Sequence, residues 1–137
     1  MQEQSDEWIK TEVISGLGVG RKYIGDRYYR EYLLFRYGID PYPGTLNLKL
    51  LSGKISWAGA WEIPGDDDHG PVMLLPVILA RDPEDLEYIS GMVLRPLKTT
   101  HGNNIIEVIS DVCIRDFFGL RDGDIVYIKI TGRRVNS

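Results

Sequence analysis

IRDFFGLRDGDIVYIKI, Ile114 to Ile130, is the stretch whose reading decides the fold. It opens as a short helix and stops at Gly119, a residue suited to the left-handed conformation in which helices commonly end. Asp122-Gly123-Asp124 is turn chemistry. The last six residues, Ile125 to Ile130, then alternate with the period of two that marks a strand. A helix–turn–strand ending of this kind is common in compact barrels, and it specifies fold more than function.

Working back toward the N-terminus, the helix is predicted over Asp111–Phe118, preceded by a short strand over Ile105–Ile109. Val72–Leu79 and Tyr88–Leu94 are strand-like, with Asp82-Pro83-Glu84-Asp85 as the turn between them. Thr45–Leu50 alternates cleanly: Leu46, Leu48 and Leu50 face one side, and Thr45, Asn47 and Lys49 the other. Asp40–Gly44 (DPYPG) holds two prolines and a glycine in five residues and can continue neither regular element. Asp26–Tyr37 reads as a helix with an acidic start, stopped by Gly38, in which Tyr28, Tyr32 and Phe35 share helical spacing. Ile9–Ile14 reads as a first strand. Trp57–Pro71 shows no clear period, and its DDDHG run, Asp66–Gly70, is expected to be a solvated hairpin tip; Pro96–Asn104 should be a loop. Many short strands with two short helices predict a mainly β fold, a β-barrel with short helical insertions. Residues 1–8 read as a polar tail and 9–134 as a single domain.

A chain of 137 residues is long enough to bury roughly two thirds of its unfolded surface without disulfides or a structural metal. Cys113 is the only cysteine, which excludes an intramolecular bridge and Cys-rich zinc patterns. A reducing, cytoplasmic setting is expected. The longest apolar run, Val72–Ala80, contains Pro76 and falls far short of the roughly 20 residues of a membrane helix. The acidic start, MQEQSDEWIK, is wrong for a secretory signal. A net charge of −4 argues against nonspecific nucleic-acid binding, which normally shows a basic footprint.

Two motifs carry the chemistry. GLGVGR, Gly16–Arg21, places three glycines at alternate positions before an arginine. Without Cβ atoms the backbone amides can approach an anion closely, and the guanidinium adds a forked donor suited to phosphate. The alternative is a plain glycine-rich turn. The motif is neither a P-loop nor a dinucleotide fingerprint, because no Gly-Lys-Ser/Thr follows and no parallel βαβ unit surrounds it. Thr45 and Asn47 offer a hydroxyl and an amide two residues apart, hard-oxygen donors that suit Mg²⁺ once substrate phosphates supply negative charge. Glu107, flanked by Ile105, Ile106, Val108 and Ile109, needs an exposed face, a partner or a ligand. The Asp66–His69 run reads as solvated rather than metal-binding, His101 as a loop bystander or a base, and Cys113 as packing.

With these segments in order, VISGLGVGRKYI, DPYPGTLNLKL, LRPLKTTHGNNIIEVI and IRDFFGLRDGDIVYIKI, the chain resembles the archaeal CTP-dependent riboflavin kinases from about Val13 to Ile130. The resemblance implies a six-stranded cradle-loop, riboflavin-kinase-like barrel. It implies transfer of the terminal phosphate of CTP to the 5′-hydroxyl of riboflavin, giving FMN and CDP, with Mg²⁺. Carried over by position, Gly16, Leu17, Gly18, Val19, Gly20 and Arg21 match the nucleotide loop. Val112, Cys113, Ile114 and Arg115 match a second nucleotide-contacting stretch. Thr45 and Asn47 match the magnesium ligands, and Thr99 and Glu107 the flavin contacts, with Glu107 also a candidate catalytic base or orienting group. Ser110 and Asp111 stand where the family commonly has Ala-Pro. Riboflavin and CTP are thus the expected partners, with no nucleic acid and no membrane. The alternative is a non-catalytic barrel that binds a nucleotide or flavin, or regulates through DNA.

Overall fold

A computed structural model describes residues 7–15, 24–96 and 104–135. Seven strands run β1 (Ile9–Ile14), β2 (Leu46–Leu50), β3 (Trp61–Ile63), β4 (Val72–Ala80), β5 (Ile89–Pro96), β6 (Ile105–Ile109) and β7 (Ile125–Ile130); helices α1 (Arg27–Tyr37) and α2 (Ile114–Phe118) interrupt them. The sheet order β3-β4-β5-β6-β2-β1-β7 closes on itself because β7 also pairs with β4. Six strands therefore form a closed antiparallel barrel, and β3 is added outside the ring. Closure removes the open sheet edges that would otherwise be left unpaired.

The period-two pattern decides what fills the barrel. Val13, Leu46, Leu48, Val77, Leu79, Val93, Val108, Val126 and Ile128 belong to one buried cluster. Thr11 shares this inward face, fully buried, and donates its hydroxyl to the Val126 carbonyl at 2.7 Å, so the burial leaves it satisfied. A second cluster lies on the other face of the same strands, where Val72, Leu74, Met92, Leu94 and Ile109 meet Tyr29 and Leu33 of α1. The alternation predicted for these strands is thus used twice, once inside the ring and once beneath the helix.

β4 is longer than its neighbours because one of its edges serves two partners. Val72–Leu74 pair with β3, and Val77–Ala80 pair with β7. Pro76 falls between them. Its carbonyl accepts from Thr131 N at 3.0 Å on the side where the two partners change over, so its missing N–H costs no ladder bond.

Helix α1 starts one residue later than expected. Asp26 is its N-cap, with φ −90° and ψ 124°, and its side chain accepts from Tyr28 N. Gly38 ends it at φ 69°. The buried side is Tyr29 and Leu33; Phe35, placed on the apolar stripe by its spacing, is 77% exposed. The second cluster offers a patch only as wide as one i, i+4 pair. Helix α2 also begins late, at Ile114 after its N-cap Cys113, because Asp111 accepts from Asp40 N and Val112 N donates to the Ser110 hydroxyl.

The Trp57–Pro71 segment resolves into a turn, the short strand β3 and a hairpin tip. Trp57 packs on the barrel cluster and Trp61 on the second cluster. Asp66, Asp67 and Asp68 are exposed, as expected of a tip, but His69 folds back onto α1. Its ring stacks on Tyr28 with centroids 4.2 Å apart. Nδ1 lies 2.8 Å from Asp66 Oδ1 and Nε2 3.2 Å from Asp26 Oδ2. The hydroxyls of Tyr28, Tyr29 and Tyr37 donate to the carbonyls of Pro64, Gly70 and Glu62, completing a strap between helix and hairpin.

This strap has a pH signature. The hydrogen bond to Asp66, joined by the charges of Asp66 and Asp26 and opposed by desolvation, raises the His69 imidazole above its ordinary value. The hydrogen bond from His69 lowers the Asp66 carboxyl. Stabilisation through the raised imidazole is full below the unfolded histidine value and is lost as pH climbs through the folded one. Stabilisation through the lowered carboxylate is lost only as pH falls through its folded value. The contribution is therefore largest between about pH 4 and 6.5, the unfolded values of the two groups. Melting temperatures of the wild type and His69→Gln should differ most in that window, and the gap should shrink as pH rises above it. A gap that is constant across the range would exclude a titrating strap.

Candidate functional site

Five of the residues singled out in the sequence, Thr45 and Val112–Arg115, come together at one place in the barrel. The turn Pro41–Gly44 delivers the chain into β2, and the segment after β6 crosses beside it before entering α2. Between them lies a pocket of about 170 Å³, lined by Tyr42, Gly44 and Thr45 on one side and Ser110 and Val112–Arg115 on the other, with Leu46 and Val108 completing the lining. Thr45 and the Val112–Arg115 stretch, 67 or more positions apart in the chain, thus share one cavity.

The approach to α2 is held through Ser110 and Asp111. Ser110 is buried and donates its hydroxyl to the Ser90 carbonyl at 2.8 Å. Its own carbonyl accepts from Tyr42 N at 2.8 Å, and Asp111 Oδ1 accepts from Asp40 N at 2.9 Å. Both walls of the pocket are therefore tied to each other through backbone amides. Cys113, through charge and then a hydrogen bond, pushes the Tyr42 phenol above its ordinary value, and Asp116 adds to the effect.

Asn47 and Glu107 lie on the outer face of the barrel wall. They are register partners across β2 and β6, and the same row continues to Ile14 on β1 and Leu94 on β5. Neither is on an exposed face: Asn47 is 5% and Glu107 3% exposed. The solvated alternative for Glu107 is thereby excluded. A carboxylate taken out of water is costly unless it is paired or hydrogen-bonded, so burial at this position is a feature the fold must support.

Thr45, Asn47 and Glu107 are all hard-oxygen donors, the class that suits Mg²⁺. Among the described residues no group of three or more His, Cys, Asp or Glu side chains is placed to hold a metal ion by itself. The donor set fits a cation whose remaining ligands come from phosphate and water, which is how Mg²⁺ is commonly held.

Gly16–Arg21 and Thr99 lie outside the described residues, as does His101. The residues immediately before the first of these are described. β1 ends at Ile14 beside Asn47, and Ser15 donates to Asp122 Oδ2 at 2.5 Å. Arg115 Nη2 donates to Asp122 Oδ1 at 2.7 Å and lies 3.5 Å from the Ile14 carbonyl. Ser15, the last described residue before the glycine motif, is thus linked through Asp122 to Arg115 of the pocket lining. Tyr42, Ser15 and Asp122 escaped the reading of the sequence. The DPYPG and DGD segments containing two of them were read only as turns, and polar side chains in turns carry no signal of what they face.

A family model, CTP-dep_RFKase, described as a domain of unknown function (DUF120), matches residues 13–130. The chain belongs to the archaeal CTP-dependent riboflavin kinase family. Among members of this family, the riboflavin kinase of Staphylothermus marinus is 39% identical over 122 residues, 89% of this chain and 90% of that protein. The riboflavin kinase of Saccharolobus solfataricus is 31% identical over 89% of this chain and 73% of its own length. That of Archaeoglobus fulgidus is 34% identical, but the match spans about half of it, 54%. The family match begins at Val13 and ends at Ile130, so it takes in the closing strands of the barrel and both walls of the pocket. Among the described residues no helix is long and apolar enough to cross a membrane.

Proposed function

We propose that this chain is a riboflavin kinase that uses CTP, transferring its γ-phosphate to the riboflavin 5′-hydroxyl to give FMN and CDP. The observation that carries the reading is the meeting of Thr45 and Val112–Arg115 in one pocket, in a chain of this family whose next register row along β2 and β6 is the buried Asn47–Glu107 pair. In this reading the amides of Gly16–Gly20 and the Arg21 guanidinium hold the phosphates, and Val112–Arg115 contact the nucleotide from the other wall. Thr45 and Asn47 would hold Mg²⁺, which when bound neutralises charge on the phosphates. Thr99 and Glu107 orient the ribityl chain so that its terminal hydroxyl lies in line with the phosphorus. Phosphoryl transfer passes through a loose transition state, so positioning and charge neutralisation do most of the catalysis. To Glu107, buried and next to Asn47 in register, this reading assigns the orienting of that hydroxyl or the acceptance of its proton.

The test is FMN formation from riboflavin and Mg²⁺ with CTP, ATP, GTP or UTP supplied in parallel. Product with CTP and little with the others is the expected result. Product with ATP but not CTP would overturn the assigned donor. No product with any nucleotide, from folded protein, would leave a binding or regulatory barrel instead.

A further inference from the structure

The pocket that holds Thr45 and Val112–Arg115 opens where the β2–β6 ladder is interrupted. The end pair of that ladder is Leu46 with Val108. Contact between the two chains resumes farther along, where Tyr42 N donates to the Ser110 carbonyl at 2.8 Å. Between these points stand Pro43, Gly44 and Thr45 on one chain and Ile109 alone on the other. The longer chain must bow away from the shorter one, as in a bulge. Pro43 has no N–H to give, and Gly44 takes φ 133°, a value that L side chains rarely adopt. The cavity lies in that gap, with Leu46 and Val108 in its lining.

Beyond Leu46 the ladder no longer fixes how far apart the two chains stand. One backbone bond does so at Ser110, whose hydroxyl is anchored to the Ser90 carbonyl of β5. The next bond outward is made by a side chain: Asp111 Oδ1 accepts from Asp40 N at 2.9 Å. Both residues are exposed. A hydrogen bond in such a place adds little to global stability, because water can replace either partner. Its consequence is local, holding the turn at residues 40–44 against the start of the Val112–Arg115 wall.

We propose that Asp111 is a positioning residue for the nucleotide: its carboxylate clamps the two walls of the pocket together and sets their separation before the nucleotide binds. Asp111 is itself outside the lining, so it acts through the segments on either side of the gap. Ordering two irregular segments in advance lowers the cost of binding. The inference rests on the kinase reading of this pocket.

The experiment is steady-state kinetics on the full chain, varying CTP and riboflavin separately, for wild type, Asp111→Ala, Asp111→Asn and Asp111→Glu, with a melting curve for each. Charge and clamp pull in opposite directions here. Removing an exposed carboxylate makes the surface more attractive to a polyanion, so on charge alone Asp111→Ala would lower the KM for CTP. Loss of the clamp should instead raise it about three- to tenfold, the factor to which one lost hydrogen bond converts, with the KM for riboflavin unchanged. Asp111→Asn keeps an acceptor oxygen without the charge, and should hold the KM at the wild-type value or below it. Asp111→Glu keeps the charge but displaces the carboxylate by one methylene. It should raise the KM as well, and reports the clamp should the alanine variant fold poorly. A CTP KM that falls or stays put in these two variants, a rise that Asp111→Asn shares, or a change in melting temperature alone would overturn the clamp. Absence of FMN formation in the wild type with every nucleotide would overturn the kinase reading itself, and shows before any variant is compared.

Discussion

Asn47→Ala is expected to reduce FMN formation by about 100-fold or more, the scale seen when one group that stabilises developing charge is removed from an active site. The reason is positional. Asn47 is an outward residue of a barrel strand that is nonetheless buried, and it sits opposite Glu107 in the β2–β6 register. The loss should be accompanied by a higher Mg²⁺ concentration for half-maximal turnover, because one of the two neutral oxygen donors proposed for the ion would be gone. A melting curve taken alongside separates this from unfolding, since truncating a buried amide has its own cost of about 1–3 kcal/mol. Wild-type Mg²⁺ dependence and turnover in Asn47→Ala would end the metal assignment. Glu107→Gln, at the partner position, separates the two roles proposed for that carboxylate. Loss of a base lowers turnover and flattens its rise with pH, whereas loss of an orienting contact keeps the pH profile and shifts the KM for riboflavin.

Gly91→Ala is expected to destabilise the barrel by about 1–3 kcal/mol, and Gly91→Val by more, without touching any ligand. A Cβ at this position would stand 2.6 Å from the Ile109 carbonyl oxygen, 3.2 Å from Val108 Cγ1 and 3.3 Å from Leu79 Cδ1. The first of these is backbone and cannot rotate aside. Gly91 is not among the glycines with positive φ, so its role is space rather than conformation. It lets β5 approach β6 closely where the barrel closes over Leu79. Forcing β6 outward would also move Glu107, two residues from Ile109, relative to Asn47. Denaturant unfolding should therefore show the loss of stability, and FMN formation should fall with it. An alanine variant as stable as the wild type would show that β6 can yield at no cost.

Much of this was legible from local pattern. Leu46, Leu48 and Leu50 alternate with polar residues, and they do line the barrel. Asp26 and Gly38 bound the first helix because a cap and a left-handed stop are one-residue decisions. Pro76 was no obstacle to β4 only because two partners change over at that residue, which depends on strands far away in sequence. Phe35 and Tyr29 show the same limit: spacing says which residues share a helix face, but the width of the cluster beneath decides which of them is covered.

The site divides in the same way. The order of its motifs, the oxygen donors Thr45 and Asn47, and the lone carboxylate in an apolar strand are properties of residue type and spacing, so the sequence alone determined them. That Asn47 and Glu107 face each other and are both buried was decided by the register of β2 against β6. That Thr45 shares a pocket with Val112–Arg115, and that Asp122 joins Arg115 to Ser15, was decided by closure of the barrel, which brings chain ends 107 positions apart within one hydrogen bond. Periodicity and turn chemistry are local and can be read one window at a time. Register and closure depend on the packing of every strand at once, and only the folded chain settles them.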